Sequence, residues 1–218
     1  MSEREGEVTE AKSDTPNPAG SAQGAAKRMR ADARRNRERL VAAAALAFQS
    51  EGVDTSLEAI ARAAGVGIGT LYRHFPTREA LIEIVYRREV ETLVVAAQEL
   101  ARDLPADEAL AQWMQRFVDY IAAKRGMGDS LKILFESKSP LFAEVGGLIP
   151  SALKSLVERA AEAGAIRPDA DSGDVLHALS SIYAASSGPD WRDRSRRLVQ
   201  LLMDGLRYGA PGPSAPTA

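Results

Sequence analysis

Residues 55–81, TSLEAIARAAGVGIGTLYRHFPTREAL, constrain this chain more than any other stretch. Thr55 and Glu58 stand three apart just before an apolar repeat, the capping-box pattern of a helix N-terminus. Leu57, Ile60, Ala61 and Ala64 recur at the spacing of one helical face. Gly65 can take the positive φ that stops a helix, and Val66 is placed to pack under the turn. Gly67 then opens a second short helix ending near His74, and Thr77, after Pro76, caps a longer one. Two short helices around a glycine turn, the second with a small-then-aromatic face, fit a helix-turn-helix that enters a DNA major groove. An ordinary corner between two packed helices shares this outline.

The rest of the chain predicts an all-α fold. Alanine, leucine, glutamate and arginine dominate its 218 residues, alternating strand patterns are scarce, and prolines gather at segment ends. Residues 1–26 lack periodicity and are expected to form a disordered tail. Residues 27–78 are expected to hold a three-helix DNA-binding domain. Its first helix carries Leu40, Ala44, Ala47 and Phe48 on one stripe and ends at Gly52, with Val53 buried beneath the junction. Residues 79–208 are expected to form a larger helical domain, and 209–218 a loose, proline-rich end. Within the larger domain, the fourth helix carries Leu81, Ile84, Val85, Leu93 and Val94 and breaks at Leu104 and Pro105. The next runs over 106–124, followed after Gly126 and Gly128 by a separate short helix with Leu131, Leu134 and Phe135. Residues 141–163 are interrupted near Gly146, Gly147 and Pro150; further helices start at Ser172, reaching toward Gly188, and near Asp190.

Charge supports the placement of the DNA-binding segment. The whole chain carries a formal −2, but residues 27–88 hold twelve basic and seven acidic side chains, a net +5 where phosphates would need it. Lys27, Arg28, Arg30, Arg34, Arg35, Arg37 and Arg39 fall within thirteen positions, and Arg34 and Arg35 are candidate phosphate contacts. A solvated helix face is the competing account of this run.

Several classes are disfavoured. The chain has no cysteine and two histidines, which leaves no thiolate or histidine-rich metal site, and no cofactor is expected. No apolar run is long enough to span a membrane and no signal-peptide core is present, so a cytoplasmic protein is expected. No phosphate-binding glycine loop, spaced nucleophile and base, or paired-histidine motif suggests an enzyme.

Four short motifs carry a resemblance. Residues 44–48 give an A-x-x-x-F stripe end, 52–56 a glycine followed by Thr55 and Ser56, 60–66 the run IARAAGV, and 69–75 the run GTLYRHF. Thr77, Arg78, Glu79, Ala80 and Leu81 follow. Together, residues 36–87 resemble the DNA-binding domain of the TetR family of bacterial transcription regulators, and 117–135 resemble part of one subset's C-terminal half. The resemblance implies a homodimer on double-stranded DNA with a palindromic operator, most often a repressor relieved by a small molecule.

It also assigns roles. Thr55 or Ser56 would meet a phosphate at the second helix's start, and Gly69 would allow close approach of the recognition helix. Thr70 would offer a hydroxyl and a methyl to base edges. Tyr72 would contact backbone or thymine, His74 a phosphate, and Arg78, where the family usually has lysine, would anchor the fourth helix to DNA. Gly67 and Ile68 depart from the family's polar residues. Ile68 fits either a thymine methyl or the core, and Arg73 gains weight as a phosphate or base contact.

A cavity for a small apolar or aromatic effector is suggested by Tyr86, Trp113, Met114, Phe117, Tyr120, Met127 and Phe135 on predicted inward faces, although each also fits plain core packing. Val175, Leu179, Ile182, Leu198, Leu201 and Leu202 resemble the helix pair with which the family forms a four-helix bundle across a two-fold axis. An enzyme using the same cavity and a DNA-binding protein without an effector are the rival readings.

Overall fold

The computed structural model describes residues 18–52, 55–136, 139–185 and 188–209. Among them are nine helices and no strand: α1 Pro18–Ser50, α2 Leu57–Ala63, α3 Ile68–His74, α4 Arg78–Asp103, α5 Ala106–Glu136, α6 Pro140–Val145, α7 Leu148–Glu162, α8 Ser172–Ala185 and α9 Trp191–Arg207. The fold is all-α, as composition and periodicity predict. Val53 lies outside the described residues, as do residues 1–17 of the tail expected at 1–26 and residues 210–218 of the end expected at 209–218. The described residues fall into two compact units divided between Asn36 and Arg37.

The first helix begins at Pro18, earlier than the expected boundary at residue 26. Proline's missing N–H costs nothing at a helix start. The alanines at 19, 22, 25 and 26 favour helix strongly enough to outweigh Gly20, Ser21 and Gly24.

From Arg37 onward, Leu40, Ala44 and Phe48 of α1 are buried with Ile60, Leu71, Phe75 and Leu81, one small core under α2, α3 and the start of α4. Ser56, not Thr55, caps α2: its hydroxyl accepts the Ala59 N–H at 3.0 Å. Thr55 is instead buried, and its hydroxyl donates to the carbonyls of Gly52 (2.9 Å) and Ala47 (3.1 Å). At the far end of α2, Gly65 takes φ +67°. The N–H groups of Gly65 and Val66 bond back to Arg62 and Ala61, a Schellman closure that sets the turn into α3.

The fourth helix starts where the sequence predicts, with the Thr77 hydroxyl accepting from Ala80 N–H at 3.1 Å. Its buried face, including Ile82, Val85, Tyr86, Val90, Leu93 and Ala97, packs on α5. The Trp113 indole N–H, fully buried, donates to the Leu93 carbonyl at 2.9 Å and satisfies itself across this pair.

α5 is two helical segments joined across a non-helical residue, Gly128 (φ 47°, ψ −132°), so the expected interruption falls there and not at Gly126. Gly126 stays helical, and its role is close packing. A Cβ there would lie 1.8 Å from the Phe48 carbonyl oxygen, so the absence of a side chain lets α5 touch the end of α1. Arg192 at the start of α9 also reaches α1, donating to the Gln49 carbonyl at 3.0 Å.

Candidate nucleic-acid interface and a cavity in the helical domain

On α3, Leu71 is fully buried and Phe75, which follows the helix, nearly so, which locks the helix's roll. The opposite face is presented outward: Gly67, Gly69 and Arg73 are exposed, Tyr72 is 46 % exposed, and Thr70 and His74 are half-buried. Gly67 caps α3 without a side-chain bond, and a Cβ at Gly67 or Gly69 would meet nothing within 4 Å. The protein itself therefore gives no steric reason for either glycine. Arg73 and His74 occupy the last turn, where positive charge suits the helix dipole. Ile68 packs against the core and is only partly buried there. Arg34 and Arg35 are exposed on α1 within the first unit, and Arg35 is paired with Asp32. Arg34 shares a groove with Lys27 and Arg30.

Two expected DNA contacts are turned inward. The Thr55 hydroxyl is spent on Ala47 and Gly52, whereas Ser56 remains exposed. The Arg78 guanidinium donates to the Thr55 carbonyl at 2.7 Å and lies 5.3 Å from the centre of the Phe48 ring. It braces α4 against the junction of α1 and α2. Arg78→Ala should therefore lower stability, by about 2–3 kcal/mol for a charged hydrogen bond plus ring contact. Thermal melting checks this: a drop of about 4–10 °C is expected at this chain length. An unchanged melting temperature would contradict the bracing role.

The aromatic and sulfur side chains expected around a ligand divide. Trp113, Met114, Phe117 and Met127 are buried among themselves and their neighbours as core. Tyr86 and Tyr120 are also buried, their hydroxyls 3.1 Å apart, and burial pushes the Tyr120 phenol far above its usual range. Only Phe135 among the seven, 67 % exposed, lines the cavity described next.

That cavity has a volume of about 560 Å³ and lies beyond the Tyr86–Tyr120 pair, on the later part of α5. Leu131, Phe135, Phe142 and Tyr183 form its apolar wall, with Lys124, Arg125 and Lys132 around them. The Gly128 kink opens the helix there. Sequence reasoning missed these cations because it followed aromatic and sulfur residues; the adjacent Lys124 and Arg125 just before a glycine break were the available signal.

The α8 and α9 residues also divide. Val175 and Leu179 are buried inside the protomer, and Ile182, Leu198 and Leu202 are half-buried. Leu201 stands 68 % exposed. Val199, Met203 and Leu206 take the inward side of α9, leaving Leu198, Leu201, Leu202 and Gly205 on the adjacent helical stripe. Among the described residues no helix is long and apolar enough to cross a membrane, and no group of three or more acidic or histidine side chains is arranged for a metal.

A braced short helix with an outward polar and aromatic face, set in a basic segment and joined to a larger helical domain, defines a helix-turn-helix regulator. Residues 40–85 match "Bacterial regulatory proteins, tetR family", and residues 105–208 match "Transcriptional regulator SbtR-like, C-terminal domain". A TetR transcriptional regulator of Streptomyces coelicolor is 48 % identical, with 82 % of this chain and 99 % of that one covered and a TM-score of 0.70. A TetR transcription regulatory protein from Mycobacterium vanbaalenii is 34 % identical over the same shares, with a TM-score of 0.63. An HTH-type transcriptional regulator of Staphylococcus aureus (strain USA300) is 34 % identical over 94 residues, 43 % of this chain. The match spans about half of that curated relative's length, 49 %. The chain belongs to the TetR family and is a DNA-binding transcriptional regulator.

Proposed function

We propose that the protein is a cytoplasmic, homodimeric repressor that binds a palindromic operator and is released by a small-molecule effector. The observation that carries the reading is the outward face of α3. Thr70, Tyr72 and Arg73 are presented while Leu71 and Phe75 hold the helix from behind. Ser56, Gly67, Gly69 and His74 complete the proposed contact surface, and Arg34 and Arg35 are proposed phosphate contacts. One short helix reads only a few base pairs, so useful specificity needs a second copy about 34 Å away on a two-fold site.

The proposed dimer contact is the stripe of Leu198, Leu201 and Leu202 on α9, continued by Ile182. Buried Val175 and Leu179 would support that face from inside the protomer. Leu201→Glu places a charge on the stripe without disturbing the inward residues. Sedimentation should then show monomer where the parent is dimer, with operator affinity lower by about tenfold or more. A dimer of unchanged strength would exclude this face.

Release would act through the contacts of the helical domain on α1, those of Gly126 with Phe48 and Arg192 with Gln49. An effector can shift operator occupancy only by its different affinity for the two states. The test is operator binding across a panel of small molecules. Affinity unaltered by every compound would remove the effector from the account and leave a constitutive regulator.

A further inference from the structure

The cavity on the later part of α5 combines an apolar wall with three basic side chains. Lys124, Arg125 and Lys132 line it. The three cations are not equivalent. Lys132 is exposed and leans on Glu136 at 3.9 Å, a pair worth little in water. Arg125 is fixed in position: its guanidinium carbon lies 4.5 Å from the centre of the Trp191 ring and 4.9 Å from that of Tyr183. Lys124 is half-buried and has no ion pair or hydrogen bond among the described residues. Burial holds its ammonium below the usual lysine range.

A half-buried ammonium without a counter-charge among the described residues is costly, and it is the cavity's most specific feature. Its natural complement is an anion that arrives with an apolar body. Leu131, Phe135, Phe142 and Tyr183 offer that body a place. Phe135 and Phe142 meet edge-on, with ring centres 5.3 Å apart at 76°, and Phe135 still leaves most of its surface uncovered. The volume is in the range that encloses a drug-sized or medium-chain molecule. A cationic ligand would meet repulsion from Lys124, and a neutral one would bury Lys124 further without compensation.

We infer that this cavity binds an amphiphile with a single anionic group, its anion on Lys124 beside Arg125 and its apolar part against Phe135, Phe142 and Leu131. The inference rests on reading the helical domain as effector-binding, and it adds the chemical class. The cavity wall also adjoins the contacts on α1. Arg125 precedes Gly126, and Trp191, on which Arg125 stacks, precedes Arg192. An anion held on Lys124 would thus act next to both contacts.

The experiment uses the full chain and two fluorescent probes with closely similar ring systems, anionic anilinonaphthalene sulfonate and neutral phenylnaphthylamine. The sulfonate should bind about tenfold more tightly, the worth of one charge-assisted hydrogen bond. Decanoate should displace it and decanol should not. Lys124→Gln should remove the preference while Lys124→Arg keeps it. Lys132→Gln, at an exposed site that does not endanger folding, should weaken the sulfonate by only about twofold. Equal binding of the two probes, or a preference untouched by Lys124→Gln, would overturn the inference. If Lys124→Gln does not fold, displacement by decanoate but not decanol decides the question alone. Operator binding is measured separately: an anion-selective cavity whose filling leaves DNA affinity unchanged would sink the effector reading and leave the ligand class standing.

Discussion

Gly126→Ala is expected to be the most disruptive single-methyl change in the chain. The added Cβ would lie 1.8 Å from the carbonyl oxygen of Phe48, 2.5 Å from its carbonyl carbon and 2.9 Å from its Cα. All three are backbone atoms, so no side-chain rotation can relieve the contact. Either α5 or the end of α1 must move. Overpacking of this kind costs about 1–3 kcal/mol, and a fall of about 2–12 °C in melting temperature follows at this chain length. The functional effect should exceed the loss of stability. Phe48 and Gln49 end the helix whose stripe of Leu40, Ala44 and Phe48 supports α3, so displacing them changes how the recognition helices are presented. Operator affinity is expected to fall by at least about tenfold below the unfolding range. Parent-like melting and parent-like DNA binding together would show that this contact carries nothing.

Tyr72→Ala is expected to do the reverse, leaving the fold intact while removing DNA binding. The side chain is 46 % exposed on α3, and neither core residue behind it changes, so stability should stay within about 0.5 kcal/mol. Each half-site would lose about 1–2 kcal/mol of contact. A homodimer loses it twice, which amounts to about thirtyfold or more in operator affinity. Tyr72 carries no charge, so the dependence of binding on salt should not change. That separates it from Arg73, whose removal should flatten the salt dependence by about one unit per half-site if it meets a phosphate. Gel shifts at several salt concentrations make both measurements. Unchanged affinity in Tyr72→Ala would move the reading surface off α3.

The sequence made the helix-turn-helix legible because every device in it is local. The glycine at positive φ, the Thr77 cap and the buried periodicity of Ile60, Ala61 and Leu71 each act within a few residues. What it could not show depended on contacts across the chain. Thr55 and Ser56 are adjacent and chemically alike. Only the Ala47 and Gly52 carbonyls and the Arg78 guanidinium reveal that one is buried and the other caps. Arg78 looked like a phosphate anchor because its charge is local, while its partners lie over twenty residues away. Gly126 looked like punctuation, since a glycine in a tight crossing and a glycine in a break have the same one-letter code. The residues expected around a ligand divide for a related reason. Aromatic residues at helical spacing fill a core as readily as they line a pocket, and Trp113 and Phe117 do the former.

The central claim is that two copies of α3 read a two-fold symmetric DNA site. Selection of bound sequences from a random duplex pool, using the full chain, tests it most directly. An inverted repeat whose half-site centres lie about one helical turn or a small multiple of a turn apart should be enriched. Tyr72→Ala should recover no enriched sequence from the same pool. Enrichment of a single, non-repeated site, or the same repeat recovered by the Tyr72 variant, would contradict it.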